Sequence, residues 1–187
     1  MLADLQASRK FADLQAGVDT TRAGLLGFSM GGRLVALLSA IDPSYKAMVM
    51  WAPAVANHAE RQRLSLGGPE AYLALRKKAE ETGIAEYITS YGQDLALGIG
   101  FFQDMESTRP LDSLAKFKEP LLVIYGDEDT AVPPAISEAA IAVAENSPEV
   151  VRHVMTGVGH DLGFYSDRAD VAAEVVQTTV EFFREKL

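Results

Sequence analysis

A serine with a glycine two residues away on either side separates a short apolar run from a longer one. The five residues are Gly27-Phe28-Ser29-Met30-Gly31. The run 21–28 predicts a buried strand, and the run 30–41 predicts a buried helix that ends at Asp42-Pro43. In such a tight turn from strand to helix, both glycines are expected to prevent steric clashes. The turn would raise the Ser29 hydroxyl above one end of a sheet.

The rest of the chain alternates predicted strands with predicted helices. An amphipathic helix is predicted before Gly17. The later strands are predicted at 46–51, 121–125 and 150–155, and the later helices at 134–145 and 167–186. The last helix is expected to have one apolar face formed by Val171, Val175, Val176, Val180 and Phe183. This order indicates an α/β protein with a mostly parallel sheet and crossover helices.

The segment 54–119 interrupts the alternation. It contains a predicted helix at Pro69–Thr82, which begins with proline and is followed by glycine, and a short predicted helix at 112–117. The residues 87–105 between them are aromatic and contain glycine, and they show no clear period. We therefore expect a mostly helical insertion at 54–119. The core would be formed by 1–53 and 120–187.

Composition excludes several kinds of function. The 187 residues include no cysteine, which rules out disulfides, thiolate metal sites and thiol nucleophiles. The 17 basic and 26 acidic residues give a net charge of −9, which argues against binding to nucleic acids or to anionic membranes. The apolar runs are too short to span a membrane, and the first residues lack the basic start of a secretory signal. We expect a cytoplasmic protein.

A serine needs a base in order to act as a nucleophile, and three histidines are available. His153 lies in an alternating strand, where a partly exposed position is expected, and a solvated helix position is expected for His58. His160 lies in a glycine-flanked loop, Gly157-Val158-Gly159-His160-Asp161, directly after a predicted strand. Parallel sheets place working groups at such strand ends, so His160 is the favoured base.

Three acidic residues follow the predicted strand 121–125, within Gly126-Asp127-Glu128-Asp129-Thr130-Ala131-Val132-Pro133. An acid beside the base would hold the base in one tautomer and stabilise the imidazolium. A solvated loop is the simpler interpretation of Asp127 and Glu128.

Together, the three segments resemble those of the α/β-hydrolase-fold serine hydrolases. The serine turn, the Gly126-x-x-Asp129-x-x-Val132-Pro133 segment and the Gly159-His160 loop occur in the family's order of serine, acid and histidine. The resemblance implies that Ser29 is the nucleophile, Asp129 the acid and His160 the base. It implies no metal and no organic cofactor.

The insertion lies where many members of that family carry a helical cap. Its end, from Phe101 to Pro120, resembles the passage from cap to core in cinnamoyl-esterase-like and serine-aminopeptidase-like members. The resemblance therefore implies a hydrolase core with a cap or lid at 54–119.

The chain departs from the family at its start. The usual fold has about four strands before the serine turn, whereas here one predicted helix precedes Ser29. The missing part normally supplies a second oxyanion N–H beside that of Met30, and a strand next to the one at 23–28. Losing one oxyanion donor typically costs on the order of 100- to 1,000-fold in rate.

Three explanations of this shortened fold stay open. The chain is a fragment of a longer reading frame, a minimal variant that protects its sheet edge by self-association, or a scaffold that has lost catalysis. We favour self-association, as a homodimer through the exposed edge, because a bare apolar strand invites pairing with another chain.

Candidate substrate-binding residues lie beside the turn and in the insertion. Phe28 and Trp51 are the candidates near the turn, and packing between core and insertion is the alternative for Trp51. Aromatic residues of the insertion could line an acyl pocket or form the insertion's own core: Tyr72, Tyr87, Tyr91, Phe101 and Phe102. Basic residues could attract an anionic substrate or form an exposed helix face: Arg61, Arg63, Lys77 and Lys78.

We predict a serine hydrolase that cleaves carboxylic esters of small molecules through an acyl-enzyme intermediate. Thioesters and activated amides use the same three groups, so thioesterase and peptidase activities stay open. Outside the enzymes, the alternative is a non-catalytic scaffold or fragment of this fold that binds a ligand or a partner.

Overall fold

The computed structural model of the chain describes residues 2–57, 66–89 and 92–187. In chain order its elements are α1 (Leu2–Asp13), β1 (Gly24–Phe28), α2 (Met30–Ser39), β2 (Ala47–Trp51), α3 (Pro69–Thr82), β3 (Ile84–Ile88), β4 (Asp94–Gly98), α4 (Ile99–Ser107), α5 (Pro110–Leu114), β5 (Leu121–Gly126), α6 (Pro134–Val143), β6 (Val150–Met155) and α7 (Ala169–Lys186). They divide into two compact units: Met1–Val55 with Pro110–Leu187, and Ala56–Arg109.

The first unit is built around a parallel sheet. Four strands lie in the order β1-β2-β5-β6, each parallel to its neighbour. The two central strands, β2 and β5, are buried along almost their whole length. The prediction of an α/β protein with a mostly parallel sheet is therefore confirmed. Because the strands are parallel, the turns that follow them all lie at one end of the sheet.

Helices cover both faces of this sheet. On one face, α7 packs with Val171 and Val175 against a cluster that contains Val49 and Ile124 of the central strands. On the other face, α2 approaches β1 so closely that a Cβ on Gly27 would lie 2.4 Å from a backbone oxygen of α2. The sheet is therefore packed between α7 on one face and α2 on the other.

The buried face of α7 differs from the predicted apolar face. The helix buries Val171, Val175, Thr179 and Phe182, whereas Val176 and Val180 are 43% and 39% exposed. The buried stripe follows the helical period, and Thr179 fits into it because its hydroxyl donates to the Val175 carbonyl at 2.8 Å. Among the described residues, neither α7 nor any other helix is long and apolar enough to cross a membrane.

β1 forms one outer edge of the sheet. It pairs with β2 on one side, and within the described residues no strand pairs with its other side. The Ser29 N–H and the Ala23 carbonyl both bond to the β2 side, so the backbone groups of the alternate residues Gly24, Leu26 and Phe28 point outward. Leu26 is 46% exposed.

The second unit consists of α3, the antiparallel pair β3–β4, and α4. Its core contains Leu66, Tyr72, Ala79, Ala85, Leu97 and Phe102. The predicted mostly helical segment does not anticipate the β3–β4 hairpin. β3 has apolar residues on both faces, with Ala85 buried and Ile84 and Ile88 exposed, so its hydrophobicity shows no strand period.

Candidate active site

Ser29 lies at the junction of β1 and α2 in a strained backbone conformation. Its φ of 52° is in a region that residues other than glycine rarely adopt. Three hydrogen bonds hold the turn: the Ser29 N–H donates to the Trp51 carbonyl at 2.9 Å, and the Ser29 carbonyl accepts from Gly32 at 3.0 Å and from Ala54 at 2.9 Å. Hydrogen bonds at both the N–H and the carbonyl of Ser29 therefore hold its strained backbone conformation in place.

The glycines of this turn differ in the space around them: Gly27 and Gly32 have no room for a Cβ, whereas Gly31 has room. A Cβ on Gly27 would lie 2.4 Å from the Gly31 carbonyl oxygen, so the prediction that Gly27 prevents a clash is confirmed. The same prediction is wrong for Gly31, because a Cβ there would meet no atom within 4 Å. The second close approach belongs to Gly32, whose Cβ would lie 2.6 Å from the Pro53 Cβ. The paired glycines at 31 and 32 were the only sequence signal for this contact.

Ser29, His160 and Asp129 are brought together by the ends of three strands. The Ser29 Oγ lies 2.9 Å from His160 Nε2, and His160 Nδ1 lies 2.7 Å from Asp129 Oδ2. His160 is 9% exposed and Asp129 is 3% exposed. A carboxylate accepts a hydrogen bond from Nδ1–H, which leaves the Nε2 lone pair to accept a hydrogen bond from the serine hydroxyl.

The Asp129 carboxylate is oriented by its own turn. Its Oδ1 accepts hydrogen bonds from the backbone N–H groups of Ala131 at 2.9 Å and Val132 at 2.8 Å. These two donors fix the plane of the carboxylate, so that Oδ2 is directed at the imidazole of His160.

The turn after β5 is joined to the turn after β6. The Asp127 N–H donates to the Met155 carbonyl at 3.2 Å, and the Glu128 N–H donates to the Val158 carbonyl at 3.1 Å. The exposed Asp127 carboxylate accepts from the Gly157 N–H at 2.7 Å. The interpretation of Asp127 as a solvated loop residue missed this bond, because three successive acids give no signal of which one is engaged.

Phe28 and Trp51 lie on neighbouring strands but have different contacts. The Phe28 ring stacks on the His160 imidazole, with 5.1 Å between ring centroids. The Trp51 ring stacks on Phe164 at 5.2 Å, and its indole N–H donates to the Thr179 hydroxyl at 2.9 Å. These contacts place Trp51 in the packing against α7, so its binding of substrate stays a prediction.

Met30 is the first residue of α2. The first N–H groups of a helix have no acceptor within the helix, so the Met30 N–H can bind an anion beside Ser29. Elsewhere, His153 lies on β6 with its Nε2 3.0 Å from Glu174 Oε1, while His58 lies outside the described residues. Among the residues that are described, no group of three or more histidine or acidic side chains could hold a metal ion.

The candidate residues of the second unit that the structure describes belong mainly to its own core and surface. Tyr72 and Phe102 are fully buried and meet edge to face at 5.3 Å between centroids. Lys77 forms a surface ion pair with Glu81 at 3.7 Å. Three further candidates lie outside the described residues: Arg61, Arg63 and Tyr91.

The sequence matches the Alpha/beta hydrolase family over residues 2–174, and the chain belongs to this family. A curated protein of Methylorubrum extorquens with the provisional name carboxymethylenebutenolidase is 25% identical over 194 residues, which cover 99% of this chain and 50% of that protein. The chain therefore spans about half the length of this curated relative.

Solved structures share the fold. The esterase domain of a Rhodothermus marinus protein is 21% identical with a TM-score of 0.74, and the match covers 98% of this chain and 68% of that one. Est1E from Butyrivibrio proteoclasticus, solved with ferulic acid bound, is 24% identical with a TM-score of 0.71, and the match covers 99% of this chain and 67% of that one.

Proposed function

We propose that this chain is a serine hydrolase that cleaves carboxylic esters through Ser29, His160 and Asp129. The observation that carries the proposal is the chain of hydrogen bonds from the serine hydroxyl through the imidazole to the carboxylate, with distances of 2.9 Å and 2.7 Å. This arrangement activates a hydroxyl for acyl transfer. Membership of the Alpha/beta hydrolase family supports the proposal.

In the first half of the reaction, Ser29 Oγ bonds to the acyl carbon while its proton moves to His160 Nε2. The ester C–O bond then breaks, and the imidazolium gives that proton to the leaving alkoxide. In the second half, water attacks the acyl-serine and gives a proton to His160, which returns it to Ser29 as the carboxylic acid leaves. Asp129 holds the imidazole in one orientation throughout.

The Met30 N–H is the proposed donor to the oxyanion that forms in both halves. Within the described residues, β1 has no neighbouring strand on its outer side to position a second donor. This observation favours a second candidate function, a non-catalytic scaffold that binds a ligand or a partner. The intact arrangement of serine, histidine and acid supports the enzyme ahead of that scaffold.

Small esters, including those of aromatic acids, are the proposed substrates. One structural neighbour is an esterase domain, and another was solved with ferulic acid bound. Thioesters and amides could be cleaved by the same three groups, so the rates of ester, thioester and amide cleavage require a direct comparison.

The test is the initial rate of p-nitrophenyl acetate hydrolysis. We expect turnover by the wild type and a loss of at least about 10⁴-fold in both Ser29→Ala and His160→Ala. Ser107→Ala, in α4 of the other unit, is the matched control and should keep the wild-type rate. An unchanged rate in Ser29→Ala would overturn the proposal, and a folded wild type without turnover would favour the scaffold.

The class of leaving group is tested with acetyl compounds that differ only in the atom bonded to the acyl carbon: oxygen, sulfur or nitrogen. We expect the oxygen ester to be hydrolysed faster than the matched thioester and anilide. Comparison of ethyl ferulate with ethyl acetate then reports whether an aromatic acyl group is preferred. Faster cleavage of the thioester or the anilide would reassign the substrate class while leaving the role of Ser29 intact.

A further inference from the structure

Asp127 belongs to a turn that is fastened to the turn carrying His160. We name residues 126–129 the acid turn and residues 155–160 the histidine turn. The backbone N–H groups of Asp127 and Glu128 donate to the histidine turn, at 3.2 Å to Met155 and at 3.1 Å to Val158. Between these two bonds, the Gly157 N–H donates to Asp127 Oδ1 at 2.7 Å.

Asp127 therefore holds the histidine turn at two points. Its own N–H binds residue 155, and its carboxylate binds residue 157. At 2.7 Å, the carboxylate bond is shorter than the two backbone bonds that Asp127 and Glu128 donate to the histidine turn. Gly157 has a φ of 67°, so the chain takes a left-handed path at the residue that this bond fixes.

Gly126 leaves no space between the two turns. A Cβ at this position would lie 2.0 Å from the Val158 carbonyl oxygen. Residue 157 lies three positions before His160, whose Nε2 must stay 2.9 Å from the Ser29 hydroxyl oxygen. A shift of the histidine turn at residue 157 would therefore move the imidazole relative to the serine.

We propose that Asp127 is a positioning residue whose carboxylate oxygen holds the histidine turn, and thereby His160, at the correct distance from Ser29. The role rests on the proposed ester hydrolysis, because Asp127 would act on that reaction through His160. The position of the acceptor oxygen is the essential property, and the negative charge is secondary.

Four variants separate the effect of the position of the Asp127 acceptor oxygen on kcat from the effect of its negative charge. Asp127→Asn keeps an acceptor oxygen in place and removes the charge, whereas Asp127→Glu keeps the charge and displaces the oxygen by one methylene. Asp127→Ala removes both. Glu128→Ala is the matched control, because it removes a neighbouring charge and leaves its backbone bond to Val158 intact.

The measurement is kcat and KM for p-nitrophenyl acetate, with the melting temperature of each variant. We expect kcat to fall about tenfold in Asp127→Ala and Asp127→Glu with KM unchanged, because a displaced catalytic group slows the chemical step. Asp127→Asn and Glu128→Ala should stay within about twofold of the wild-type kcat.

Several results would overturn this role. A wild-type kcat in Asp127→Ala, or a lower melting temperature without a change in kcat, would make the bond merely structural. Asp127→Asn as slow as Asp127→Ala would assign the effect to charge. If Asp127→Ala does not fold, the comparison of Asp127→Asn with Asp127→Glu decides. Failure of the proposed hydrolysis itself is seen separately, as a wild type no faster than Ser29→Ala.

Discussion

The two edge strands of the sheet in the first unit are built differently. β6 carries Arg152 and His153 in its middle, and both contact helices. Arg152 forms an ion pair with Glu138 of α6 at 2.6 Å, and His153 Nε2 lies 3.0 Å from Glu174 Oε1 of α7. β1 is the run Gly-Leu-Leu-Gly-Phe, which has no charged residue and no proline, and its Leu26 is 46% exposed.

Charged side chains on an edge strand discourage pairing with another chain, and an uncharged apolar edge invites it. β6 therefore has the features of a protected edge, and β1 has those of a strand that is stabilised by a further neighbour. β1 also leads into the strained turn at Ser29. Substitutions on or beside β1 and β6 test whether the two edges differ in stability and in pairing with another chain.

The largest effect is expected at the end of β1. Gly27→Ala places a Cβ 2.4 Å from the Gly31 carbonyl oxygen, and such overpacking against backbone costs about 3 kcal/mol. For a chain of this size, we expect the melting temperature to fall by about 6–12 °C.

Gly31→Ala is the matched control for that substitution. Its Cβ would meet no atom within 4 Å, and alanine is favoured over glycine in a helix by up to about 1 kcal/mol. We expect an unchanged or slightly higher melting temperature. Equal destabilisation by both substitutions would contradict the described geometry of the turn.

A smaller effect is expected at the outer edge of β1, where we propose pairing with a second copy of the chain. Antiparallel pairing about a two-fold axis at Leu26 would place the two Leu26 Cα atoms about 5.5 Å apart, which a disulfide can bridge. Because the chain has no cysteine, Leu26→Cys should form a single disulfide-linked dimer on oxidation. The wild type should sediment as a dimer at micromolar concentration.

His153→Cys, at the middle of the opposite edge strand, is the control and should stay uncrosslinked. Equal crosslinking of both variants would remove the contrast between the two edges. A monomeric wild type together with an uncrosslinked Leu26→Cys would show that a second copy does not cover β1.

The smallest effect is expected beside β6, at Glu138. A hydrogen bond from the Tyr125 hydroxyl, followed by one from Arg152, lowers the pKa of Glu138 below its usual value of 4.5. A lowered pKa in the folded state stabilises the fold above the usual pKa, and this contribution disappears as the pH falls through the lowered value. Because the Arg152–Glu138 ion pair is exposed, Glu138→Gln should lower the free energy of unfolding by less than about 1 kcal/mol at pH 7.

Urea unfolding at pH 7 and at pH 3 measures this difference. The free energy of unfolding of the wild type should exceed that of Glu138→Gln by more at pH 7 than at pH 3. We call this difference the gap. In an Arg152→Gln background the gap at pH 7 should shrink. A gap that grows on acidification would contradict the assignment of the lowered pKa to Glu138.

The parallel sheet could be predicted because its signals are local. The continuous apolar run at 121–125 is a strand buried on both faces, and the proline and glycine that bound α3 mark its ends in the sequence as in the structure. The meeting of Ser29, Asp129 and His160 could be predicted because each residue lies in the turn that follows a strand of a parallel sheet. The resemblance to the α/β-hydrolase-fold serine hydrolases assigned their roles, and it selected Asp129 among the three acids.

Contacts between distant segments could not be predicted in the same way. The approach of Gly32 to Pro53 and the bond from Gly157 to Asp127 depend on how separate strand ends are spaced. Residue types at these positions give no unique signal. The β3–β4 hairpin escaped prediction because its apolar residues lie on both faces.

The central claim is that Ser29 is an activated nucleophile in this chain. The most direct test is covalent labelling by a fluorophosphonate probe, followed by intact mass measurement of wild type and Ser29→Ala. The account predicts one adduct on the wild type and none on Ser29→Ala. A folded wild type that takes up no label, or a Ser29→Ala that is labelled equally, would contradict it.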